Sequence, residues 1–181
     1  MDTELVRRAQ DGDREAFAAL VPPAVDRLLG LAYQILGDSD LAEEATHVAV
    51  INAWRKLPGL REPARFEAWL YRLVVNACRD EARRRPWEVH APVPLGWAVD
   101  TAEPERQVDD RDRLDRAFRR LSFDHRAVIV LHHHAGLSLV EVGRALGVPA
   151  GTIRSRLHYA MRAMRDALEF DDELPTARVI A

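Results

Sequence analysis

Helical rhythm governs this chain except in one stretch, and that stretch dictates its organisation. Between Pro86 and Pro104 apolar residues no longer recur every three or four positions. Four prolines, one glycine and several acids stand there instead, the composition of a linker. On its N-terminal side, Phe17, Leu20, Ala24, Leu28, Leu31 and Ile35 keep helical spacing, as do Phe66, Trp69, Leu70, Leu73 and Ala77. On its C-terminal side the pattern resumes with Leu114, Phe118 and Leu121 and continues through 127–134, 139–146 and 152–168. No β alternation or internal repeat is visible. The expectation is an all-α protein of two small helical domains joined by an acidic Pro-rich linker. Residues 1–86 form the first domain, 87–108 the linker, 109–170 the second domain and 171–181 a tail.

Local signals place the helix ends. Thr3 is the expected cap of a first helix ending near Asp11-Gly12, and a second starts at Asp13 and closes at Gly37. Pro22-Pro23 is expected to kink or split that second helix, because proline removes a backbone donor and clashes with the preceding turn. Asp40 to Glu43 has the form of a capping box for a third helix, which Pro58-Gly59 stops. A fourth begins about Pro63.

Apolar residues make up 48% and charged residues 30% of the chain, which marks a globular composition rather than a disordered one. No apolar run approaches the roughly 20 residues needed to span a bilayer. The acidic start, Met1-Asp2-Thr3-Glu4, lacks a secretory layout. With one cysteine, Cys78, no intrachain disulfide can form. No membrane insertion and a cytoplasmic location are the expectation.

The net charge of −3 argues at first against a nucleic-acid partner, but the distribution matters more. From Arg72 to Arg85 five arginines face two acids, a local +3; from Pro86 to Asp110 six acids face one arginine, a local −5. Lys56 is the only lysine. A GC-rich genome accounts for arginine over lysine but not for where the arginines fall.

The most informative stretch runs from Gly136 to His158. Ser138 and Glu141 form a capping box, and Leu139, Val142 and Leu146 make one buried face. Gly147 supplies the left-handed turn, and Val148 plugs the space between two helices. The second helix starts near 150–152. Its inner face is Ile153, Leu157, Ala160 or Met161, and Met164; its outer face carries Thr152, Arg154, Ser155, Arg156, His158 and Arg162. This is the layout of a helix-turn-helix, whose second helix enters the major groove with its early residues on base edges. Thr152, Ile153, Arg154, Ser155, Arg156, His158 and Arg162, with Ser138, are the candidate duplex contacts. The competing account is an ordinary helical hairpin with a solvated basic face.

The pattern Leu121-x4-Arg126-x-Val128-x2-Leu131, then Gly136-Leu-Ser, Glu141-Val-x3-Leu-Gly and Gly151-Thr-Ile-Arg-Ser-Arg-Leu-His-Tyr-Ala, resembles the last region of extracytoplasmic-function (ECF) sigma factors. Asp40-x-Ala-Glu-Glu-Ala, Ala53-Trp54 and Phe66-x-Ala-Trp-Leu-Tyr-Arg-Leu-x2-Asn-x2-Arg-Asp-x2-Arg-Arg resemble their promoter-melting region. Ser122-Phe123 and Pro149 depart from the family pattern by no more than a shifted helix end. The resemblance implies a subunit that binds core RNA polymerase and promoter DNA, with an anti-sigma factor as a further candidate partner. It implies a C-terminal domain that reads the minus-thirty-five element and an acidic helix that docks on the polymerase clamp. Glu43, Glu44, Asn52 and Arg55 are the candidates for that docking. His47-Val48 stands where the family has Gln-Glu.

Holding an opened strand needs cations for its backbone and faces or pockets for its bases. Arg61, Arg65, Tyr71, Arg72, Asn76 and Arg79 are the candidates, while Trp54, Phe66 and Trp69 fit core packing better. His132-His133-His134 is a poor metal site, because successive helical residues point about 100° apart. Cys78 reads as a small buried residue. No phosphate loop or catalytic triad spacing appears, so neither catalysis nor a cofactor is expected. The rival readings are a stand-alone helix-turn-helix regulator and a helical protein that binds only protein partners.

Overall fold

The computed structural model describes residues 2–84 and 113–173, those from 169 onward by their backbone. The expected linker at 87–108 lies outside the described residues. Every described element is helical. The helices are α1 (Thr3–Gln10), α2 (Arg14–Leu36), α3 (Ser39–Lys56), α4 (Phe66–Arg84), α5 (113–119), α6 (Phe123–Ile129), α7 (Leu139–Leu146) and α8 (Ala150–Glu173).

Short acids and serines set the helix starts by accepting from free backbone donors of the first turn. Asp2 caps α1 through the Glu4 amide at 2.9 Å, so Thr3 is the first helical residue and not the cap. Asp13 caps α2 through Ala16, 3.0 Å. Asp38, not Asp40, caps α3 through Leu41 at 2.9 Å; the expected box at Asp40 to Glu43 lies inside the first turn. Ser122, where the family often has proline, caps α6 through His125 at 3.4 Å.

Pro22-Pro23 does not split α2, which runs unbroken to Gly37. The carbonyls deprived of partners belong to Ala18 and Ala19. These two residues and both prolines are exposed, so water can replace the lost donors. By length and composition α2 is apolar enough to cross a membrane, but its stripe Leu20, Ala24, Leu28, Leu31 and Ile35 is buried in the protein. It packs with α3 and α4 into the first domain, and α1 crosses α2. The Gln10 amide donates to the carbonyls of Leu57 (3.1 Å) and Leu60 (2.6 Å), tying α1 to the turn after α3 and fixing the loop that leads into α4.

In the second domain Phe118, Val128, Ile129, Leu131, Val142, Ile153 and Ala160 are wholly or almost wholly buried. Helix α6 widens into a π turn over Val130–His134. Of the three histidines there, His132 and His133 meet edge to face, ring centroids 4.8 Å apart. His132 Nδ1 meets the Leu137 carbonyl at 2.7 Å, and the Gln34 amide lies 3.1 Å from His134 Nδ1. That last contact crosses between domains. The two units are not held apart: α4 packs on α7, and α2 on α6 and the π turn, so one apolar core runs through both.

The helix-turn-helix is built as its sequence spells it. Ser138 N and Oγ both donate to Glu141 Oε2, at 2.9 and 2.6 Å, while the Glu141 amide lies 3.3 Å from Ser138 Oγ. Gly147 has φ +70°. Gly143 carries a constraint that periodicity alone did not show. A Cβ there would stand 2.7 Å from the Val148 backbone oxygen, so the turn closes only because α7 has no side chain at that point.

Two stability outcomes follow from this turn. Gly143→Ala should destabilise the second domain by about 1–3 kcal/mol, whereas Gly151→Ala, with open space around it, should be neutral or stabilise by up to about 1 kcal/mol; urea unfolding of the two variants compares them. The Ser138 hydroxyl, and then its backbone N–H, hold the Glu141 carboxyl below its ordinary value of 4.5. A lowered carboxyl stabilises the fold above that value and loses its contribution as pH falls. Glu141→Ala should therefore cost roughly 0.5–1.5 kcal/mol at neutral pH, and the gap to wild type should narrow toward about pH 3. A pH-independent gap would contradict this role.

Candidate nucleic-acid interface

Helix α8 turns its apolar side inward and leaves a polar stripe outside. Ile153 is 0% exposed and is a core residue, which corrects its place among the duplex contacts. It lies on the side of α8 that meets α7 and α6, as the spacing Ile153, Leu157, Ala160, Met164 requires. Thr152, Arg154, Ser155, His158 and Arg162 are all exposed. Ser155 Oγ donates to the Gly151 carbonyl at 3.1 Å, and Arg162 lies 3.9 Å from Asp166. Ser138 is exposed, but its hydroxyl is committed to the capping box. Tyr159, 59% exposed with its ring 5.7 Å from that of His158, had not been singled out. Its spacing from Thr152, Ser155 and Arg162 was the signal, since all four fall on one helical stripe.

Arg156 differs from its neighbours. Its guanidinium is 3.0 Å from Asp124 Oδ2, and its side chain keeps only 27% exposure. Asp124 also meets Arg79 of α4, at 3.3 Å. One candidate cation from each domain thus ends at the same carboxylate.

The strand-binding candidates lie along the loop after α3 and the outer stripe of α4. Arg61, Arg65, Arg72 and Asn76 are exposed, with Arg65 Nε 2.8 Å from Glu62. Tyr71 is corrected: it is 7% exposed, its hydroxyl lies 3.4 Å from Glu67 and burial raises its pKa, so its ring cannot stack on an extruded base. Trp69, expected in the core, is half-buried beside Phe66, ring centroids 5.8 Å apart. It lines a cleft of about 430 Å³ together with Arg61, Arg65 and Arg72, and α7 closes the other side with Glu141, Arg144 and Ala145. Tyr71 borders the same cleft but is almost wholly buried and also packs toward α2, whereas Trp69 keeps more of its ring accessible there.

On α3, Glu43, Glu44 and Arg55 are exposed and Asn52 is half-buried. Ile51 and Trp54 are 38% and 37% exposed. Trp54 therefore does not belong to the core as expected; it leans on Phe17 with centroids 4.9 Å apart and leaves an edge in solvent. Cys78 is fully buried, and desolvation pushes its thiol far up. Arg126, also fully buried, is pulled down to about 9 by the same cause and stays charged at neutral pH. Among the described residues no three His, Cys, Asp or Glu side chains could share a metal ion.

Comparison with known proteins gives this geometry a family. Residues 23–88 match the Sigma-70 region 2 family and residues 117–166 the Sigma-70 region 4 family. The ECF RNA polymerase sigma factor SigM of Mycobacterium tuberculosis is 35% identical over 155 residues, 86% of this chain and 78% of SigM. SigW of Bacillus subtilis is 27% identical over 90% of this chain and 94% of its own. The fold matches that of CnrH in complex with the cytosolic domain of CnrY, with a TM-score of 0.68 at 24% identity over 94% of this chain and 98% of that one. A chain that carries both regions in this order, on this fold, belongs to the ECF sigma factors, which bind core RNA polymerase and direct promoter-specific transcription initiation.

Proposed function

We propose that the two regions divide promoter recognition between duplex and single strand. Thr152, Arg154, Ser155, Arg156, His158 and Arg162 read or grip the minus-thirty-five duplex, with Tyr159 added from its exposure. Arg61, Arg65, Arg72, Asn76 and Arg79 hold the opened minus-ten strand, and Trp69 takes the stacking role first given to Tyr71. The outer face of α3, with Glu43, Glu44, Asn52, Arg55 and the apolar edges of Ile51 and Trp54, docks on the polymerase. The observation that carries this reading is the exposed hydroxyl and guanidinium stripe of α8, mounted on a complete helix-turn-helix. Phosphate-facing arginines give affinity, whereas base-edge contacts give choice of sequence.

The protein supplies positioning and binding energy, not catalysis, and works in the cytoplasm beside the polymerase. An anti-sigma factor is a fitting additional partner, as NepR is for RpoE of Bartonella quintana, whose fold this chain shares with a TM-score of 0.65. Domain limits at 1–86 and 109–170 suit this division, although α8 itself runs on to Glu173.

Run-off transcription from genomic fragments with purified core polymerase tests the reading. Transcripts with discrete starts should appear only when the protein is added. Arg154→Ala should weaken promoter-dependent initiation by about 1–3 kcal/mol, roughly five- to 150-fold, if the side chain makes a bidentate base contact. Unchanged transcription by that variant would move base readout away from α8, and no transcript at all would remove the promoter assignment.

A further inference from the structure

The cleft of about 430 Å³ that Trp69 borders carries more positive charge than its own acids answer. Four arginines and three glutamates line it. Each glutamate is already engaged. Glu62 meets Arg65 at 2.8 Å, Glu67 meets Arg27, which is not one of the lining arginines, at 3.3 Å, and Glu141 accepts from the Ser138 hydroxyl and amide. Arg61, Arg72 and Arg144 are exposed and form no ion pair with any described residue. They come from three elements, the loop before α4, α4 itself and α7, yet border one cavity. The rest of the wall is largely apolar, with Leu60, Leu137, Ala145 and the half-buried indole of Trp69. The volume falls within the span of small-molecule sites, roughly 300–1,000 Å³.

Guanidinium groups take phosphate oxygens in paired hydrogen bonds, and an indole offers a face on which any nucleobase can stack. Three cations match more than the charge of about −2 that a single phosphate group carries. We propose that this cleft is a binding site for a free nucleoside di- or triphosphate, with the base against Trp69 and the phosphates on Arg61, Arg72 and Arg144. The opened promoter strand offers the same chemistry, and Arg61, Arg72 and Trp69 are already assigned to it. Arg144 separates the two sources. It belongs to α7 in the second region, and a strand held by the first region alone makes no use of it. The site goes beyond the strand assignment and stands without it; where both hold, nucleotide and strand exclude each other from Trp69.

Titration calorimetry of the full chain with ATP, GTP and inorganic tripolyphosphate tests the site. A nucleotide should bind one to one and more tightly than tripolyphosphate. Arg144→Ala and Arg72→Ala should each weaken nucleotide binding about five- to tenfold. Trp69→Leu should weaken it by about as much while leaving tripolyphosphate within about twofold, which also shows that the variant is folded. Arg7→Ala, which removes an exposed arginine from α1, should change nothing by as much as about twofold. In a second arm, holoenzyme made with each variant is titrated with a DNA fork carrying only an unpaired minus-ten strand. Arg144→Ala should leave fork affinity unchanged. Absence of saturable nucleotide binding, tripolyphosphate bound as tightly as ATP and GTP, or nucleotide binding that survives Arg144→Ala would overturn the site. Equal losses of nucleotide and fork in Arg144→Ala would overturn it too, by making the cleft part of the strand path. Fork binding that survives Arg72→Ala, beside nucleotide binding that does not, would overturn the assignment of Arg72 to the strand and leave the site standing.

Discussion

Helix α4 is buried from two sides, and the rest of the structure follows from that constraint. Phe66, Leu70, Leu73, Val74, Val75, Ala77 and Cys78 are all buried, some against α2 and α3 and others toward α7. A helix apolar over so much of its circumference belongs in a core. Only one stripe, through Arg72, Asn76, Arg79 with Asp80, and Arg83, is left for water or DNA. The confinement of cations to that stripe is thus a packing result as much as a functional one. It also explains why the arginine cluster meets the second domain, since α7 lies against the same helix.

The seam differs in kind from the cores on either side. Within each domain, fully buried apolar side chains such as Ile35, Val74, Phe118 and Ile153 supply cohesion that scales with area removed from water. Between the domains, partly exposed ion pairs at Asp124 and the Gln34 to His134 contact border the apolar core that runs through both.

Features encoded over a few residues were legible in the sequence. Ser138 with Glu141, Gly147 and Gly37 each act through local hydrogen bonds or a left-handed backbone, and each stands where its spacing placed it. Asp38 and Asp40 are both acids at the start of the same helix, so spacing alone could not decide between them; only the Asp38 carboxylate reaches a free amide. The burial of Tyr71 and the partial exposure of Trp69 depended on how α2 and the second domain pack on α4, and that of Trp54 on how far Phe17 shields it. Arg79 and Arg156 could be picked from the pattern, but not their shared partner. Asp124 lies 45 residues from Arg79, across the linker, and 32 from Arg156 within the second domain.

Site-specific photo-crosslinking in the holoenzyme on promoter DNA tests the division of labour most directly. One probe replaces Gly151, which has open space around it at the start of α8, and another replaces exposed Ala64 in the loop before α4. The probe at 151 should label only the upstream duplex element, and the probe at 64 only the downstream non-template strand, and then only once the promoter has opened. Labelling of one shared element by both probes, or strand labelling from position 151, would contradict the account.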